Sequence, residues 1–174
     1  MSMVIFAALF LGFAHADQSR QFTIPITKIT GRYFLQDPIA KAACRVQVQR
    51  QWDNSVLVTI FTMRDNGDSD ESNARNLSWY LNRSVSFDPS KLAAGWSDVR
   101  EVGEEIEEHL SFDGSFFEIV DYDQTPSDES VRTYQIGTDP SFRNVKMIII
   151  RDYIGPVIRH DRQFGEIICS IVSS

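Results

Sequence analysis

The sequence predicts a mainly β fold: an antiparallel β-sandwich or open barrel of about eight strands with one or two short helices in the middle. Three observations carry this expectation. Apolar and polar residues alternate at period two in run after run from Phe22 to Val172, which is the mark of half-buried strands. Turn-forming residues separate the runs at Asp53-Asn54, Asn66-Gly67, Asp113-Gly114, Thr138-Asp139-Pro140 and Gly155-Pro156. Helix signals are confined to residues 88–110.

Taken in order, Phe22, Ile24 and Ile26 alternate with Thr23, Pro25 and Thr27, and the proline inside the run suggests an edge strand. Residues 44–51 form the second run. Residues 56–63 are apolar on both faces, which predicts a strand in the middle of a sheet covered on both sides. Leu77, Trp79, Leu81, Val85 and Phe87 share a face of the fourth run, interrupted by Arg83. Asp88-Pro89 then reads as an N-cap followed by proline at the first helical position, with Gly95 as the stop. Asp98 and Glu101 resemble a capping box, and Val99, Val102, Ile106 and Leu110 follow at helical spacing, so an amphipathic helix is expected there. Gly103 costs that helix roughly 1 kcal/mol relative to Ala. Residues 116–120, 131–136, 145–154 and 166–172 complete the strands.

Residues 1–16 read as a signal peptide: Val4 to Phe13 is an apolar run too short to span a bilayer, and Ala14-His15-Ala16 places small residues at the cleavage positions. Residues 17–174 are expected to be one β-rich domain, secreted or periplasmic. The composition is that of a globular protein, 43% hydrophobic and 24% charged, with a formal net charge of −7. An acidic surface without a Lys/Arg cluster argues against nucleic acid as a partner. No later stretch is apolar enough to span a membrane, so no membrane span is expected in the mature chain. The two cysteines, Cys44 and Cys169, each share a strand face with aliphatic residues, and in an exported chain they are expected to form one disulfide.

No motif names a reaction, and no catalytic residue is assigned. The leading expectation is a non-enzymatic binding or structural domain for a protein, peptide or envelope component; a carbohydrate partner is also compatible. Trp52, beside the Asp53-Asn54 turn, and Trp96 are the candidate binding residues, because such rings combine flat apolar faces with a polar handle. A small secreted hydrolase using His160 and nearby acids, in Arg159-His160-Asp161-Arg162, is an alternative. Calcium-dependent binding is another. No cofactor is expected apart from Ca²⁺, for which Asp121, Asp123 and Asp128 are weak candidate ligands. The run Val120-Asp121-Tyr122-Asp123 through Asp128 resembles a calcium-binding loop of C2 domains. Its last Asp comes one position early, and the Ser-Asp-Pro-Tyr stretch of the other C2 loop is missing. A second acidic loop, Asp65 to Glu71, fails the EF-hand spacing. Asn76 and Asn82 fit the glycosylation pattern, which matters only in a eukaryotic source.

Overall fold

A computed structural model describes residues 19–31, 42–64, 81–103, 106–124, 128–156 and 163–171. Ten strands appear among them: β1 (Ser19–Gly31), β2 (Ala42–Arg50), β3 (Val56–Arg64), β4 (Asn82–Phe87), β5 (Trp96–Glu101), β6 (Ile106–Phe112), β7 (Phe116–Gln124), β8 (Asp128–Gly137), β9 (Met147–Pro156) and β10 (Gln163–Ser170). All pair antiparallel with a neighbour, in the order β4-β3-β2-β1-β10-β9-β8-β7-β6-β5. The result is a single curled sheet, a half-barrel, in which the first and last strands lie side by side near the centre. The expected signal peptide, residues 1–16, lies outside the described residues.

Three expectations need correction. The described residues form ten strands rather than eight, because the expected helix over 98–110 is instead β5 and β6. Val99, Val102 and Ile106 would have lined its buried stripe, yet they are exposed. Glu108, Leu110 and Phe112 point inward at period two. Gly103 stands in the turn between the strands, and pairing of β6 with β7 satisfies every rung from Ile106 to Phe112, so tertiary pairing outweighs local helical spacing. The expected short helix after Asp88 is a single 3-10 turn over Pro89–Lys91, with the Asp88 side chain accepting from the Ser90 N–H.

Pro25 does not mark an edge strand. The first half of β1 pairs with β2, from Ser19 to Pro25, and the second half pairs with β10, from Ile26 to Gly31, with a register irregularity between Ile26 and Lys28. Proline sits where the strand changes partner, a place where a missing N–H costs the ladder little. The same change of partner bends the sheet sharply and brings β2 and β10 together over β1. Cys44 and Cys169, both fully buried, are joined there by a disulfide with a Cα–Cα distance of 6.1 Å. It closes a loop of 125 positions, worth roughly 4–5 kcal/mol in the chain-entropy model.

The concave face is filled by aliphatic and aromatic side chains: Ile24, Val46, Val58, Ile60, Ile119, Ile136, Ile148, Ile150 and Ile167 along its length. At one end Phe87 stacks on Phe117, and Phe142 meets Phe117 edge-on. β3 is internal as expected, with Val58 and Ile60 fully buried on the concave side and Phe61 packed with Ala43 on the other. No helix of the described residues is long and apolar enough to cross a membrane.

Candidate functional site

Inside the sheet, beyond the aliphatic core, the register sets a row of charged residues directly opposite one another. Arg100 of β5, Glu108 of β6, Asp121 of β7, Arg132 of β8 and Asp152 of β9 are consecutive partners, and the row runs out at Gly165 and Gly31. Glu108 and Asp121 would repel as neighbouring carboxylates. Arg83 reaches them from β4, at the opposite end of the strand order. Its guanidinium holds Asp121 bidentately at 2.7 and 2.8 Å and also pairs with Glu108. Burial works against the charge on Arg83, but the Asp121 and Glu108 carboxylates outweigh it and hold its pKa above the ordinary value. Arg100 donates to the Ser86 carbonyl of β4 at 2.6 Å and pairs with Asp98 at 2.7 Å. Arg132 pairs with the fully buried Asp152 at 3.0 Å. Beside them the buried Tyr134 phenol is pushed up, by desolvation first.

The two edge strands, β4 and β5, share no backbone ladder. Arg100 ties β5 to β4 through the Ser86 carbonyl, and Arg83 ties β4 to Glu108 of β6 and Asp121 of β7. We therefore read the interior row as a clasp, with its carboxylates engaged by guanidinium groups.

The sequence candidates fall in several places. Trp52 stands in the β2–β3 turn with 95% of its surface exposed. Trp96 is half-buried, stacked on Phe117 at 6.4 Å and tilted against Phe87 at 6.1 Å. Asp121 is committed to Arg83, while Asp123 lies two residues on along the same strand face. Asp128 opens β8, opposite Pro156. Among the described residues no three His, Cys, Asp or Glu side chains gather as a metal site. His109 is on the outer face, paired with Glu107 and 4.8 Å from the Tyr122 ring. His160, the loop 65–71 and Asn76 lie outside the described residues; Asn82 is exposed at the start of β4.

The outer face carries an arrangement that sequence reading missed. Tyr122, Val131, Tyr153 and Phe164, one from each of β7, β8, β9 and β10, are consecutive cross-strand partners. At the strand spacing of a sheet this row is about 14 Å long. Tyr122 is 39% and Phe164 48% exposed. Towards β5 the same row continues into Glu107 and Glu101, both exposed. The adjacent outward row brings Val99, His109 and Val120 alongside. Each residue is unremarkable within its own strand, and only the pairing aligns them. The signal available was the outward parity of Val120-Tyr122 and of Tyr153, but parity alone does not fix which rungs meet. No family model, curated protein or solved structure matches this chain.

Proposed function

We propose that residues 17–174 form an exported, non-enzymatic binding domain that takes a protein partner on the outer row Tyr122–Val131–Tyr153–Phe164. The observation that carries this reading is the alignment of four aromatic and aliphatic side chains across four adjacent strands, with a pair of glutamates at one end. Flat aromatic surface of this kind is the usual anchor of protein recognition. Val131 and Phe164 offer no polar handle for a sugar, so a protein or extended peptide suits the row better than carbohydrate. Glu107 and Glu101 select a partner whose apolar stripe ends in basic residues. Export is supported by the apolar run and small-residue cleavage positions of residues 1–16, and the Cys44–Cys169 disulfide is compatible with an oxidising compartment.

The test is selection of a displayed peptide library on the immobilised domain. Enriched peptides should carry apolar residues followed by Lys or Arg. Their affinity should fall at least about tenfold for the Tyr122→Ser/Phe164→Ser variant, since each large apolar side chain contributes roughly 1.5–3 kcal/mol when covered. Peptides that bind wild type and variant equally, or the absence of any enriched family, would refute the assignment.

A further inference from the structure

Three arginines meet at the rim where β2 turns into β3. Arg20 lies opposite Val48, and Arg50 opposite Val56. Together with Arg143 of the β8–β9 connection they line a concave site of about 250 Å³, against an apolar wall of Val48, Val56 and Pro89.

The backbone of the loop that carries Arg143 is fixed by hydrogen bonds. The Asp139 carboxylate accepts from the N–H groups of Ser141, Arg143 and Asn144 and from the Ser141 hydroxyl. Phe142 adopts a positive φ of 49° and buries its ring in the core, only 2% exposed. Arg20 is tied to the same loop, because its Nη1 donates to the Ser141 carbonyl at 3.1 Å.

The chain has 24 Asp and Glu against 17 Lys and Arg, so a surface arginine would ordinarily find a carboxylate. Among the described residues no acidic side chain lines this site. None of the ion pairs among the described residues involves Arg20, Arg50 or Arg143. Converging guanidinium groups on a fixed frame are the donor set that recognises tetrahedral oxyanions, through parallel N–H···O bonds that an acetate-like anion satisfies less completely.

We propose that this rim binds a tetrahedral oxyanion, the head of a phosphate or sulfate ester, with the remainder of the ligand resting on Val48, Val56 and Pro89. The site is separate from the outer aromatic row and does not depend on it.

The test is calorimetric titration of the folded domain at neutral pH and low ionic strength with inorganic phosphate, inorganic sulfate, phenyl phosphate and acetate. Phosphate or sulfate should bind with a submillimolar Kd, and the tighter of the two names the ester class. Phenyl phosphate should bind more tightly than phosphate, through the apolar wall. Arg50→Gln/Arg143→Gln should weaken binding at least about tenfold, with an unchanged unfolding midpoint in the absence of ligand. Arg50→Gln alone serves should the double variant lose its native circular dichroism. No binding of phosphate or sulfate up to about 10 mM, equal affinity for acetate, or affinity unchanged by the substitutions would overturn the proposal; phenyl phosphate binding no better than phosphate would overturn the apolar wall.

Discussion

Replacing Arg83 by Ala should cost about 3–5 kcal/mol, the range for removing one partner of a buried ion pair. The figure follows from what the guanidinium touches. It holds Asp121 through two hydrogen bonds and contacts Glu108, whose side chain is only 6% exposed, while Asp121 is 19% exposed. Without Arg83 the two carboxylates remain directly opposite each other, and the nearest Arg100–Glu108 contact is a longer 3.7 Å. Burial makes that repulsion expensive. By contrast, the exposed Lys28–Glu166 pair, with Lys28 55% exposed, should contribute no more than about 1 kcal/mol. Urea unfolding followed by tryptophan fluorescence separates the cases. Arg83→Ala should move the midpoint far down, Lys28→Ala should barely move it, and adding Glu108→Gln to Arg83→Ala should recover part of the loss by removing one orphaned charge. A loss below about 1 kcal/mol for Arg83→Ala, or no recovery in the double variant, would refute the clasp of β4 onto β6 and β7.

Val58→Asp should prevent folding, because position 58 is fully buried on an internal strand and a lone carboxylate there loses its hydration without a partner; Val99→Asp, at a 58% exposed site, should change stability by no more than about 0.5 kcal/mol, and soluble yield with unfolding midpoints checks both. Free-thiol counting by mass on unfolded, unreduced protein should find no alkylated cysteine, and Cys44→Ser/Cys169→Ser should lower stability by roughly 2–5 kcal/mol. Asp139→Asn should loosen the β8–β9 connection. The hydrogen bond from Ser141 and those from the backbone N–H groups hold the Asp139 carboxyl down at about 2, below the usual 3.8. A depressed folded-state pKa stabilises above the unfolded value and is lost as pH falls through the folded one. The wild-type advantage over Asp139→Asn should therefore be present above about pH 4 and fade towards pH 2; solvent screening holds it to the order of 1 kcal/mol, and unfolding midpoints across this range check it.

The eight expected strands all lie wholly or partly in β1–β4 and β7–β10, because their alternation reports directly which side chains face the core. The remaining two were hidden by a coincidence of spacing. Val99, Val102, Ile106 and Leu110 mimic a helical stripe, whereas Glu108 and Arg100 point inward, where Glu108 lies opposite Asp121 and pairs with Arg83. A charge is legible as interior only when its partner is known, and these partners lie in other strands. The disulfide was legible because both cysteines sit on apolar strand faces. Pro25 misled because a proline in a strand marks any place where an N–H goes unused, and a change of partner is such a place as well as an edge. The outer row and the arginine rim depend on register between distant strands and on one loop, neither of which periodicity carries.

A chemical-shift map tests the outer row as the binding surface most directly. Uniformly ¹⁵N-labelled domain would be titrated with the tightest peptide recovered by selection. The largest amide changes should fall on residues 120–124, 130–133, 151–155 and 163–166, with the Val58 and Cys44 amides unmoved. Changes centred instead on the Trp52 turn or on Arg20, Arg50 and Arg143 would contradict it.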